Sequence, residues 1–319
     1  MWVTTSIEQI LKPNAIALGN FDGIHRGHQK VLQPILQSLS KEAVGKSNSP
    51  YSTVVTFNPH PQEFFSGQSK QLLTPLCEKV KYLEKLGVEQ LVLLPFDREL
   101  AALSPQQFVE EILIKHLQAT RISVGQDFRF GHKRLGTAQD LKAIAANFGV
   151  EVIITALYTG QATEGEQISP RISSSLIRQA LAEGDLLKAN QMLGRAYTLT
   201  GIVVKGQQLG RTIGFPTANL ELPPSKLLPR YGVYCVRVFI EESCTPIQGV
   251  TNIGCRPTVE GDRPTIEVHL LDWTGDLYGQ AVTVSLEKFL RPEQKFASLD
   301  ALKAQITADC DLARQILQR

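Results

Sequence analysis

The hydrophobic rhythm of this chain changes once, near residue 190, and that change limits the fold to two dissimilar parts. Before it, short β-branched runs at Ala15–Leu18, Ser52–Phe57, Gln90–Leu94, Arg121–Gly125 and Val150–Ala156 alternate with amphipathic stretches. Such alternation predicts a parallel sheet with crossover helices, because a parallel return needs a long connection. After about Gly194 the extended runs Tyr197–Val204, Gly232–Ile240, Ile247–Ile253, Thr265–Leu271 and Ala281–Phe289 follow one another through Gly-, Pro- and Asn-rich joints. This predicts an antiparallel barrel or sandwich. Leu299, Leu302, Ile306, Leu312 and Ile316 recur at helical spacing, so a last helix over Leu299–Gln318 should pack on that second part. The boundary falls at residues 185–195 and divides the chain into 1–188 and 189–319. With 319 residues and 43% apolar content, the chain can supply two cores.

Helix punctuation is legible in places. Ser104 precedes Pro105 and stands three residues before Gln107, which combines an N-cap, an N1 proline and a capping box. Gly87, Gly149 and Gly184 each follow a periodic segment as C′ residues.

Charge narrows the partners. The chain has 33 basic and 31 acidic residues, a net charge of +2, and so shows no general footprint for nucleic acid or an anionic membrane surface. No apolar run approaches the roughly 18 residues of a membrane helix. Cys77, Cys235, Cys244, Cys255 and Cys310 are odd in number and form no CxxC pair, and Met1–Ile10 has no apolar leader core. Reduced thiols in a cytoplasmic protein are the expectation.

The segment Gly19-Asn20-Phe21-Asp22-Gly23-Ile24-His25-Arg26-Gly27-His28 leaves the first of these strands and enters a helix with Val31, Leu32, Ile35, Leu36 and Leu39 on one side. Its glycines allow close backbone approach, and the free N–H groups of a helix start suit a phosphate. His25 and His28, three apart, should project from one side. A zinc site would need a third ligand, and no Cys or His lies nearby. Asn58-Pro59-His60-Pro61, Val124–Gly131 and Arg171–Arg178 likewise stand after strands or at a helix start, where a parallel sheet collects ligands.

These four segments resemble, in this order, the HxGH nucleotidyltransferase superfamily and within it the FMN adenylyltransferase domain of the FAD synthetase family. The resemblance implies a Rossmann-like nucleotidyltransferase domain. It also implies ATP contacts from Gly19, Phe21, Asp22, Gly23, His25 and His28, with Asp127, Arg171, Ser174, Ser175 and Arg178 completing the nucleotide site, and a catalytic role for His25, His28 and Arg178, which with Mg2+ would stabilise charge on the leaving pyrophosphate. The family commonly has Thr at Ser175, and the hydroxyl is kept. Phe130, with Phe64 or Phe65, would flank the flavin ring. An acceptor phosphate with a second pKa of about 6 is already largely dianionic at neutral pH, so this chemistry needs positioning and charge neutralisation rather than a general base.

No P-loop or protein-kinase motif set occurs in the chain. Gly201, Gly206, Gly210 and Gly214 instead precede Pro216-Thr217-Ala218-Asn219. Flexible backbone can fold over phosphates, and a Thr hydroxyl with an Asn carbonyl supplies hard oxygens for Mg2+. With Gly249–Thr258, Ile266–Trp273 and Asp276–Gly279, this pattern resembles the riboflavin kinase domain, so that the two resemblances cover nearly the whole chain. They imply a C-terminal six-stranded Greek-key barrel in which Thr217 and Asn219 hold Mg2+ and Glu267 is the catalytic base. Arg291 would stand at the flavin end, and the four glycines near the nucleotide. An alcohol needs its proton removed, which gives a carboxylate a role there. His269, on the same polar strand face as Glu267, is read as exposed.

The implied activity is conversion of riboflavin to FMN and of FMN to FAD, with ATP used twice. Self-association through the two domains is compatible with it. Two other readings remain at this level: an HxGH adenylyltransferase for another nucleotide, and a flavin-binding protein without turnover.

Overall fold

The computed structural model describes residues 1–42, 49–158, 171–206, 208–240, 245–258 and 261–318, and the chain divides into two compact units, Met1–Ser174 and Ser175–Arg319. In the first unit β1 (Trp2–Thr4), β2 (Asn14–Leu18), β3 (Tyr51–Asn58), β4 (Gln90–Pro95), β5 (Ala119–Gly125) and β8 (Glu151–Thr155) form a parallel sheet in the order β1-β4-β3-β2-β5-β8. β6 (Arg129–Phe130) and β7 (Gly136–Thr137) make a small separate hairpin. The five strands expected in this half are all present, and β1 is additional.

Every residue of β2 is buried, as a strand covered on both faces requires. Alternation sends Ile16 and Leu18 into one core with Val55, Val92, Leu113 and Val124, and Ala15 and Ala17 into the other. The two alanines leave room for Val31, Leu32 and Ile35 of α1 (Arg26–Glu42), which fill that second core. A buried polar seam ties the amino-terminal ends of neighbouring strands: Thr53 Oγ1 donates to Asn14 Oδ1 at 2.6 Å, and Gln90 Nε2 donates to the same oxygen at 2.9 Å. All three residues are fully buried, so a register slip would strand their polar atoms. The ligand-collecting end of the sheet is the opposite one.

The expected helix starts and stops are present. Ser104 and Gln107 close a reciprocal capping box, and Gly87, Gly149 and Gly184 all have φ between 71° and 89°. Beyond Gln107, however, the chain winds as a π-helix over Phe108–His116, with Leu117 N–H donating to Ile112 O at 2.9 Å.

In the second unit, helices Ser174–Glu183 and Leu186–Leu193 lead into β9 (Tyr197–Val204), β10 (Ala218–Glu221), β11 (Gly232–Ile240), β12 (Ile247–Thr258), β13 (Gly261–Leu270) and β14 (Ala281–Arg291). They close an antiparallel barrel in the order β10-β13-β12-β11-β14-β9. β11, β12 and β13 are successive neighbours while β10 returns beside β13, which is the Greek-key connection. β10 is the strand that the sequence pattern did not disclose: it is four residues long and overlaps the Pro-Thr-Ala-Asn segment, which has the composition of a turn.

The last helix, Leu299–Leu317, packs outside the barrel against Val233, Cys235, Val250 and Leu271 as expected, with Ile306 and Ile316 against that core. Its buried residues are Asp309, Cys310, Ala313 and Leu317, whereas Leu299 and Leu312 are exposed. Asp309 is buried because Arg291 neutralises it. Cys77, Cys235, Cys255 and Cys310 are all free thiols, and burial pushes those of Cys235 and Cys310 up to about 11. Cys244 lies outside the described residues.

Candidate active sites

Strand order places the first site. Successive crossovers carry the chain from β2 outward to β3 and β4, and then it returns to the other side of β2 with β5. At such a switch point the connections diverge and leave a crevice at the carboxyl ends of the strands, here those of β2 and β5. Gly19–His28 leaves β2 there and Asp127 follows β5.

The turn is tight. Phe21, Gly23 and Ile24 have φ of 48°, 89° and 40°, a region costly for the two residues that carry a Cβ. Phe21 and Ile24 are held in it by burial, with exposures of 1% and 0%. Gly23 N–H donates to Thr74 Oγ1 at 2.8 Å, Thr74 N–H to Asp22 Oδ1 at 3.2 Å, and Ser174 Oγ to the Asp22 carbonyl at 2.8 Å. Asp22 is therefore buried as a latch of the turn.

The two histidines meet at the start of α1. Their rings stack with centroids 3.7 Å apart, and the His28 backbone N–H donates to His25 Nδ1 at 3.2 Å. A ring nitrogen that accepts carries no proton, so neutral His25 keeps its hydrogen on Nε2, from which it can donate to an anion. Gly27 between them leaves room for this stack, since a Cβ there would press on the His25 ring at 3.1 Å. The Phe21 ring tilts against His28 at 5.2 Å.

Around the crevice, Arg171 pairs with Asp127, both about half exposed. Ser175 and Arg178 follow Ser174 on the helix Ser174–Glu183. Phe64 and Phe65 of α2 (Pro61–Ser66) pack edge-on against Phe96, which also meets Phe57, and Phe65 is 73% exposed. Phe130 differs from expectation: it is buried between Phe108 and Phe128, and Phe128, stacked on it at 5.7 Å, is the more open ring. Gly136 is tied to that packing, since a Cβ on it would meet the Phe130 ring at 2.7 Å. His60 caps α2, and burial, then Lys70, lower its pKa to about 4.

The second site lies where β10 joins the barrel. Asn219 pairs with Val204 on one side and Glu267 on the other, and Glu267 also pairs with Asn252 of β12. Thr217, Asn219 and Glu267 are half-buried, and Ile266, Val268 and Leu270 point into the core as the alternation required. A Cβ on Gly206 would come within 2.2 Å of the Asn219 amide, and one on Gly210 within 2.3 Å of Phe215 O, so these glycines admit close approach. Gly214 has φ 91°, a conformational reason for glycine. Gly201 is different: it lies within β9, where a Cβ would stand 2.2 Å from Glu221 O, which is a packing requirement.

His269 is half-buried rather than exposed. Its Nδ1 lies 2.8 Å from Pro216 O and must donate, because a carbonyl only accepts, and Phe215 meets its ring edge-on. Arg291 makes a bidentate pair with Asp309 at 2.8–3.1 Å, which joins β14 to the last helix. Glu293, which no motif singled out, accepts from Asn252 Nδ2 at 3.3 Å. Thr74 was missed likewise, since its contacts run through backbone groups far away in sequence.

One site prepared for phosphates at a helix start, and another that sets hard oxygen donors beside a carboxylate, describe a transferase with two reaction centres. Residues 7–171 match the family model described as FAD synthetase, and residues 193–317 the one described as Riboflavin kinase. Similar relatives include the bifunctional riboflavin kinase/FMN adenylyltransferase of Escherichia coli K12, 44% identical over 94% of this chain and 91% of its own length. The Bacillus subtilis protein of the same name is 37% identical over 93% and 90%. A crystal structure described as a macrolide-efflux protein from Streptococcus pneumoniae superposes with a TM-score of 0.84 at 32% identity, covering 98% of both chains. Among the described residues here, no helix is long and apolar enough to cross a membrane. The chain belongs to the bifunctional riboflavin kinase/FMN adenylyltransferase family.

Proposed function

We propose that the segment 189–319 phosphorylates riboflavin to FMN with ATP, and that the segment 1–188 adenylylates FMN to FAD with release of pyrophosphate. The observation that carries this reading is that one chain holds both the stacked His25–His28 pair at a sheet switch point and the Asn219–Glu267 pair of a closed barrel.

In the adenylylation, a phosphate oxygen of FMN attacks the α-phosphorus of ATP and the bond to pyrophosphate breaks. His25 Nε2–H and His28 stabilise the leaving charge, and the backbone at Gly19, Phe21, Asp22 and Gly23 shapes the bed. Asp127, Arg171 and Ser174 serve the nucleotide. Ser175 and Arg178 are assigned to it on the motif alone. Phe64 offers a flavin-facing ring, and Phe128 is a better candidate than Phe130 because of its exposure.

In the kinase step, Glu267 takes the proton of the 5′-hydroxyl as that oxygen attacks the γ-phosphorus of ATP, and the bond from the γ-phosphorus to the departing ADP breaks. Arg291 acts by holding the end of β14. The donor set fits Mg2+: Thr217, just before β10, and Asn219, within it, would supply hard oxygen ligands from their side chains. Such a sparse set suits an ion that takes its other ligands from nucleotide phosphates and water. Bound there, Mg2+ would neutralise phosphate charge. Small-molecule partners accord with the net charge of +2, and a cytoplasmic setting with the free thiols Cys77, Cys235, Cys255 and Cys310.

The test is a chromatographic time course with riboflavin, ATP and Mg2+, run beside one started from FMN. FMN first and FAD afterwards is the expected result. FAD from FMN alone would reduce the barrel to a binding module, and no product from either start would remove the reading.

A further inference from the structure

The left-handed backbone at Phe21 and Ile24 must be held by its surroundings, and much of the hold comes from one segment, Leu73–Lys79, at the entry to α3 (Leu76–Lys85). Thr74 both accepts from Gly23 and donates to Asp22. Lys79 sends its Nζ to the carbonyl of Asn20 at 2.9 Å. Lys79 is half-buried, and a neutral amide could make that bond without the partial desolvation of a charge. A cation in the first turn of a helix also opposes the helix dipole. The ammonium is kept there against both costs, which implies that its charge is used.

We propose that Lys79 is a positioning residue for adenylyl transfer: its ammonium fixes the Asn20 carbonyl, and with it the Phe21–Ile24 turn, and adds positive potential to the bed that receives the nucleotide phosphates. The proposal rests on the assignment of this unit to FMN adenylylation. Several charges face Lys79. Asp22 comes from the turn after β2, His60 from the start of α2 with Glu63 and Lys70 about it, and Glu78 is buried beside it on α3. Burial lowers the Lys79 ammonium to about 8 and Asp22 opposes the shift. The charge is therefore lost as pH rises through a range in which an ordinary lysine keeps it. The phosphates of FMN and ATP, with last pKa values of about 6–7, have finished titrating below that range.

The experiment measures kcat/KM for FAD formation from FMN and ATP–Mg2+ between about pH 6.5 and about pH 10. It uses the full chain and its Lys79→Arg and Lys79→Met variants, with FMN formation from riboflavin as the control in each preparation. The wild type should lose adenylylation with a midpoint near 8. Lys79→Arg should stay active and lack that alkaline limb, because a guanidinium remains charged. Lys79→Met should be about tenfold or more slower at neutral pH and insensitive to the limb. Riboflavin phosphorylation should be equal in all three. Wild-type rates in Lys79→Met, or an unchanged limb in Lys79→Arg, would overturn the role of Lys79. Failure of the wild type to make FAD at any pH would instead overturn the assignment of the unit, and this role with it.

Discussion

His60 caps α2 through a ring nitrogen that must stay unprotonated, since Gln62 N–H donates to its Nδ1 at 3.1 Å. Burial and the Lys70 ammonium depress its pKa from 6.5 to about 4. In the unfolded chain His60 takes up a proton near 6.5, but in the folded chain only near 4, so between these values the unfolded state binds more protons. Acid therefore erodes stability across that window. Thermal melts from pH 7 down to about 4 should show a falling midpoint, and His60→Asn, which keeps a capping oxygen, should flatten the fall. An equally steep fall in the variant would exclude His60 as its source. At this scale the legible residues are those whose chemistry sits in contiguous motifs, such as His25, His28, Asn219 and Glu267. Thr74, Lys79 and Glu293 escaped notice because their partners, Gly23, Asn20 and Asn252, lie 51, 59 and 41 residues away. The burial of Phe130 was not legible, because a motif gives a ring's position in the chain and not which side of it is covered.

At the scale of elements, β9 and β10 show how much a missing side chain can matter. Gly201 lets β9 lie against Glu221 of β10, and Asn219 of that same short strand faces Glu267. Gly201→Ala should push the two strands apart, lowering the stability of the barrel by about 1–3 kcal/mol and slowing riboflavin phosphorylation. Denaturant melts and the FMN-forming rate check this, and FAD formation from FMN should survive. A variant with unchanged melting and kinase rate would mean that the backbone accommodates the methyl group. The element rhythm was legible because period and length separate strands from helices. β10 was hidden by its turn-like composition. Ile306 and Ile316 of the last helix were legible as packing residues, but an apolar pattern cannot anticipate that Arg291 makes Asp309 a residue fit for burial.

The molecule as a whole holds two units with separate cores and separate chemistry. His28→Ala should abolish FAD formation and spare the kinase, and Glu267→Gln should do the reverse. Mixing the two variants should restore the route from riboflavin to FAD, read by the same chromatography, because FMN released by one molecule can serve the other. FMN that accumulates in the mixture without becoming FAD would show that the intermediate does not pass between molecules. The closed barrel has one more consequence. Closing the ring gives every barrel strand a partner on both sides along part of its length, which limits the edge on which a second chain could add a strand. Its weakest closure is β10, joined by two residue pairs to β13 and three to β9, against ten between β12 and β13. The short strand that carries Asn219 thus also seals the barrel against its neighbours, and conditions that loosen the kinase site should be the ones in which the protein begins to associate.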